Sequence, residues 1–186
     1  MSSLQIEPLA LDGAALVTSR AFKDARGSFA RFFCETELQP LLGGRRIVAV
    51  NCSQSDHVGT VRGLHFQHAP HGEMKLVRCL AGRVFDVIVD VRAHAPTFLH
   101  SVSVELDPAS FRMLVIPEGF AHGFQVLEGP ATLLYLHTAP HMPEAEGGLC
   151  PTDPRLGIDW PLPVACLSDR DAGFPLLDDT FRGYAP

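Results

Sequence analysis

The chain has 186 residues, a net charge of −6, 46% hydrophobic and 19% charged residues, the balance of a globular protein long enough to bury a core without staples. An acidic balance argues against a general nucleic-acid binder, yet leaves room for a local basic pocket around one diphosphate. No apolar run approaches a membrane span, and the start Met1-Ser2-Ser3-Leu4-Gln5-Ile6-Glu7 lacks a basic cluster and an apolar core, so a cytoplasmic protein with no membrane or nucleic-acid partner is expected.

In chain order, helical period is weak until Glu35–Leu42 and returns only in the tail. From residue 47 to residue 138 short β-prone runs alternate with turn signals. The predicted strands are 47–54, 60–67, 75–81, 83–90, 99–106, 111–116, 121–126 and 131–138, and the breaks carry Gly59, Pro70, Gly72, Gly82, Pro96, Pro108, Pro117, Gly119, Gly129 and Pro130. Strands at this interval predict an all-β, closed or double-sheet antiparallel fold. The segments after Pro154 and over 169–177 read as short turns or helices outside the barrel. No repeat, linker or low-complexity stretch interrupts 1–186, which predicts one domain. Cys34, Cys52, Cys79, Cys150 and Cys166 are odd in number and scattered, with no C-x-x-C pair, so free thiols are expected.

The chemistry concentrates in Arg62-Gly63-Leu64-His65-Phe66-Gln67. On a strand His65 and Gln67 share one face while Leu64 and Phe66 share the other. Arg62 falls on the face of Leu64 unless a bulge intervenes. A histidine titrates near neutrality and Lys75 follows it by ten residues, a pair suited to taking a weakly acidic C–H proton and meeting the oxyanion that forms. Arg62 suits an anionic handle such as a phosphate. Asp171 is a candidate orienter for His65, and Tyr135 is a phenol in an apolar strand that needs a polar partner.

A metal site is the rival reading, because His65, His68, His71 and Glu73 lie close together and His122 follows in 117–123. Metal-binding cupins place two histidines one residue apart on a strand; here the second inward position is Gln67, His68 points the other way, and Lys75 repels a dication. No metal is expected.

Taken together, Asp24-Ala25-Arg26-Gly27-Ser28-Phe29, the 62–67 motif, Lys75-Leu76-Val77-Arg78-Cys79, Val84-Phe85-Asp86-Val87, Pro96-Thr97-Phe98, Ile116-Pro117-Glu118-Gly119-Phe120-Ala121-His122-Gly123-Phe124, Gly157-Ile158-Asp159-Trp160-Pro161 and Leu167-Ser168-Asp169-Arg170-Asp171 resemble the dTDP-4-dehydrorhamnose 3,5-epimerase family over nearly the whole chain. The resemblance implies a metal-free cupin-type jelly roll without cofactor, a homodimer exchanging N-terminal strands, and a nucleoside diphosphate 4-keto-6-deoxy sugar as substrate. It implies His65 as base with Asp171, Tyr135 as proton donor on the opposite face, and Lys75 at the enolate oxygen. It also implies that Arg26, Phe29, Asn51, Arg62, Gln67, His122, Glu146 and Arg170 bind substrate.

Protons on C3 and C5 of a 4-keto sugar are both α to the carbonyl, so one enolate-forming site serves both centres, and inversion needs a different group on each face. Four departures stand on the substrate side: Arg31 for a glutamate, Ala49 for a glutamine, Pro140-His141 for a tyrosine pair, and Arg170 for a lysine. Rival readings are a C3- or C5-monoepimerase or isomerase of another 4-keto nucleotide sugar, a metal-dependent cupin oxygenase, and a sugar-nucleotide binder without turnover.

Overall fold

The computed structural model describes residues 3–185. Its first elements are β1 (Leu4–Pro8), β2 (Ala15–Ser19), β3 (Ala21–Asp24), β4 (Gly27–Ala30), α1 (Glu35–Leu42), β5 (Ala49–Ser55) and β6 (Val61–Gln67). These are followed by β7 (Lys75–Asp90), β8 (Ser101–Leu106), β9 (Arg112–Ile116), β10 (Phe120–His137), a 3₁₀ turn (Pro143–Ala145), β11 (Glu146–Gly148) and α2 (Asp169–Ala172).

β7 and β10 form the spine. They pair antiparallel with each other along nearly their whole lengths, and each changes its outer neighbour halfway along. β7 pairs β9 through 75–77 and β8 through 84–89, while β10 pairs β6 through 122–125 and β5 through 131–137. β2 then adds to β9, β1 to β2, and β11 to β6. Every pairing among these strands is antiparallel, as the strand spacing predicted.

The predicted strands 75–81 and 83–90 are one strand in the structure, and so are 121–126 and 131–138. The turn signals between them mark bends, not ends. Gly82 has φ +73, and a Cβ there would sit 2.3 Å from the Glu128 carbonyl oxygen and 2.8 Å from the Ala131 Cα. The β7–β10 register slips opposite it, between Val126 and Leu133. Such slips let a strand turn a corner and continue into the second wall. β1 to β4 and β11 carried no strand signal, being three to five residues long and without clean alternation.

The inner core packs Val77, Cys79, Val84, Ile88, Leu114, Phe124 and Leu133 between the walls. Outside, Leu38 and Leu42, four residues apart on one face of α1, bury against Leu76, Met113 and Val115. Gly43, left-handed at φ 56, stops the helix. β3 and β4 form a separate two-stranded hairpin that leaves Phe22 56% and Phe29 73% exposed. All five cysteines are free. Among the described residues no helix is long and apolar enough to cross a membrane.

Candidate active site

His65 on β6 stands opposite His122 on β10, and Arg62 stands opposite Phe124. Three steps on β6 therefore answer two on β10, so β6 carries one extra residue, a β-bulge. In a regular strand Arg62 would share the face of Leu64. The bulge reverses that parity: Arg62 joins His65 at the cavity, and Leu64 is fully buried in the packing on the other side. Gly63 makes the bulge feasible. Its φ is +107, and a Cβ would lie 2.5 Å from the His122 carbonyl oxygen and 2.7 Å from the Gly123 Cα. The Gly63 N–H donates to Asp171 Oδ2 at 3.0 Å.

Asp171 arrives from α2, where Ser168 caps the helix by accepting the Asp171 N–H at 3.1 Å. Its Oδ1 lies 2.7 Å from His65 Nε2, across 106 residues of sequence. Burial pushes the Asp171 carboxyl up, but the His65 ring, the Gly63 N–H and the Ser168 hydroxyl together hold it below the ordinary carboxylate value. An ionised Asp171 accepts the Nε2–H of His65 and leaves Nδ1 as the basic atom of the ring. Ring and carboxylate line a cavity of about 520 Å³, walled by β5, β6, β7, β10 and the segment 166–171.

Alternation along the strands brings the other groups in. Asn51 and Ser53 of β5, Lys75 of β7, and His122, Phe124, Tyr135 and His137 of β10 all line the cavity. The Tyr135 hydroxyl is 3.0 Å from Ser53 Oγ, which supplies the polar partner the sequence called for. Burial drives the phenol strongly up, against the pull of that hydrogen bond, so Tyr135 holds its proton and can donate it. Lys75 Nζ is 3.0 Å from Glu73 Oε1 and 3.5 Å from the His65 carbonyl oxygen. His122, whose ring centroid is 6.2 Å from that of Tyr135, sets Nε2 2.8 Å from Asp86 Oδ1. Asp86 is fully buried; burial raises its carboxyl and His122 opposes the rise.

The family model described as dTDP-4-dehydrorhamnose 3,5-epimerase matches residues 8–179. The chain belongs to the dTDP-4-dehydrorhamnose 3,5-epimerase family. It is 39% identical over 178 residues to the dTDP-4-dehydrorhamnose 3,5-epimerase of Sinorhizobium fredii, covering 95% of this chain and 91% of that one. It is 37% identical over 175 residues to a dTDP-4-dehydrorhamnose 3-epimerase of Streptomyces niveus, covering 94% and 84%. The crystal structure of a dTDP-6-deoxy-D-glucose-3,5-epimerase from Legionella pneumophila, in complex with dTDP-4-keto-L-rhamnose, matches with a TM-score of 0.90 at 38% identity, covering 98% and 99%. The fold is accordingly a cupin-type jelly roll, and the chain is an epimerase of the isomerase class.

Of the residues that the epimerase resemblance singled out, His65, Asp171, Lys75, Tyr135, Asn51, Arg62, His122 and Arg170 line the one cavity. Arg62 is held at its mouth by Ser55 Oγ and the Gln54 carbonyl oxygen, both at 2.9 Å. Gln67 requires a correction. Its amide donates to the carbonyl oxygens of His71 and Pro140 and accepts the Met142 N–H at 2.7 Å, so this buried side chain pins the 140–142 loop and stays out of the cavity. Glu146 stands behind the rim, its Oε2 2.9 Å from Arg170 and 3.2 Å from His141. Arg26 and Phe29 sit on the β3–β4 hairpin, outside the cavity of their own chain, with Arg26 paired to Asp24 at 2.6 Å.

Asp86, Ser53 and His137 carried no functional mark in the sequence. Asp86 is the most legible afterwards, a lone carboxylate inside the apolar run 84–89. Glu73, read as a candidate metal ligand, instead bridges Lys75 and His137. The two histidines of the metal reading that reach the cavity, His65 and His122, each turn Nε2 to a buried carboxylate. Among the described residues no three His, Cys, Asp or Glu side chains converge as a ligand set.

Proposed function

We propose that this enzyme epimerises a dTDP-4-keto-6-deoxy sugar through an enolate, in deoxysugar biosynthesis of the dTDP-rhamnose type that feeds a surface polysaccharide such as lipopolysaccharide. The observation that carries the reading is the convergence of the Asp171–His65 pair, Lys75 and Tyr135 on one cavity in a chain of this family. His65 Nδ1 takes the proton from the carbon α to the ketone; the C–H electron pair becomes a C=C bond to C4, and the carbonyl π pair moves onto O4 as negative charge. Lys75 meets that oxygen with an N–H donor. Tyr135 then returns a proton from the opposite face, inverting the centre; the protonated His65 releases its proton to solvent, and the tyrosinate regains one from solvent by way of the Ser53 hydroxyl. Arg62 and Arg170 present guanidinium groups to the diphosphate, and Asn51 and His122 present polar groups to the sugar nucleotide.

The exposed hairpin supports a homodimer in which Arg26 and Phe29 complete the partner's cavity, in a single-domain cytoplasmic protein with no metal or cofactor. The test is incubation of dTDP-4-dehydro-6-deoxy-D-glucose in deuterium oxide, followed by NMR at C3 and C5. Deuterium with inversion at both centres is expected. Deuterium confined to one centre makes the chain a monoepimerase, a reading favoured by the 3-epimerase relative and by Pro140 and His141 beside the rim. No exchange at either centre would leave only a binding role. Chelation should leave the rate intact, and elemental analysis should find no stoichiometric metal.

A further inference from the structure

We propose that Glu73 and His137 form a positioning pair that fixes the Lys75 ammonium at the enolate oxygen. This rests on the enolate reading above and deepens it by assigning two residues that act through the lysine.

Lys75 and His137 are direct cross-strand partners on β7 and β10, so both side chains leave the sheet on the cavity side within reach of one group. That group is Glu73, two residues before the start of β7 at Lys75. Its Oε1 accepts from Lys75 at 3.0 Å and its Oε2 from His137 Nδ1 at 2.8 Å. Burial raises the Glu73 carboxyl, but the His137 hydrogen bond and the Lys75 charge outweigh it and hold the group below its ordinary value, so it stays ionised and accepts from both sides. His137 Nε2 is buried with no hydrogen-bond partner, which leaves the Nδ1 bond to Glu73 as the ring's polar anchor. The ring also lies nearly parallel to Tyr135, at 6.0 Å and 20°.

The consequence is a division of one carboxylate between two donors. With Oε2 spent on His137, Glu73 holds Lys75 through a single oxygen; the His65 carbonyl takes a second ammonium hydrogen, and the third is left for the substrate. Without the imidazole N–H, a buried Oε2 loses its partner, and the nearest cation able to satisfy it is Lys75. The ammonium is then drawn onto the carboxylate and away from the reacting oxygen.

The experiment is a double-mutant cycle of His137→Leu and Glu73→Gln in the full chain, with kcat and KM for deuterium exchange into dTDP-4-dehydro-6-deoxy-D-glucose, and with dTDP affinity by calorimetry as the control for an intact cavity. Displacing a catalytic group by about 1 Å costs on the order of 10²-fold, and that loss in kcat is expected for His137→Leu with dTDP affinity kept. His137→Asn, whose amide reproduces the Nδ1 donor, recovers most of the rate. Glu73→Gln/His137→Leu is no slower than Glu73→Gln alone, because His137 acts only through Glu73. Additive losses overturn the proposal and leave His137 as packing for Tyr135. If His137→Leu does not fold, His137→Gln takes its place, since its longer amide misplaces the donor; a wild-type kcat in it, or in a folded His137→Leu, overturns the proposal. A wild-type enzyme that shows no exchange at all removes the enolate reading itself, which is a separate outcome.

Discussion

In the proposed mechanism His65 and Tyr135 have separable duties, and their variants should fail differently. His65→Ala removes the base, so both exchange and epimerisation fall together, on the order of 10²–10⁴-fold for one lost proton-transfer group. Tyr135→Phe keeps the base, so deuterium returns from the face it left and exchange outlasts inversion; NMR following label and configuration at the same carbon reads the difference. Asp171→Asn leaves the ring without an ionised acceptor at Nε2 and resembles a weaker His65 lesion. The carboxyl of Asp171 also links to stability. Its folded value lies below the ordinary 3.8, so its contribution is fully present above that pH and is lost as the pH falls through the folded value. Urea unfolding of the wild type at pH 6 and at pH 3 should show a drop in stability that Asp171→Asn shows to a lesser degree. His65 and Lys75 could be singled out in the sequence from their chemistry, and Tyr135 through the resemblance; the structure brings the three to one cavity. The contact of His65 with Asp171 was not legible in the spacing, since spacing cannot bring together residues 106 apart without the fold.

At the level of elements, the strand pattern from residue 47 to residue 138 was readable because β-prone runs there are separated by turn residues. Its continuity was not, because the glycine and proline at bends in β7 and β10 are the same residues that end strands elsewhere. The bulge in β6 was equally hidden, as nothing in Arg62-Gly63-Leu64 distinguishes an extra residue from a regular one until the register against β10 is known. Gly63→Ala tests that geometry. The added methyl meets the backbone of His122 and Gly123 at 2.5–2.7 Å in a left-handed conformation, and a loss of about 2 kcal/mol or more is expected. Chemical denaturation measures it. Because the Gly63 N–H also holds Asp171, residual activity in the folded fraction should fall as well. A variant with wild-type stability and rate would show that the ladder can absorb the methyl group.

The whole molecule is acidic, and the β3–β4 hairpin stands apart from the main sheet with Phe22 and Phe29 paired across its two strands and exposed. Aromatic exposure on this scale is a feature of surfaces that meet a partner. Phe22→Ser/Phe29→Ser should leave the barrel folded, shift sedimentation from dimer to monomer and remove activity; a fully active monomer would refute the shared cavity. The hairpin was not legible, since four-residue strands carry too little alternation to be read alone; only the resemblance over residues 24–29 marked the segment. In the proposed dimer each site takes His65 from one protomer and Arg26 from the other, so a dead His65→Ala chain and a dead Arg26→Ala chain are defective in different halves of the same site. Mixed and allowed to exchange, they assemble hybrids with one wild-type site in two, and activity reappears from two inactive preparations. The same arithmetic makes specific activity fall as the enzyme is diluted below its own dissociation constant.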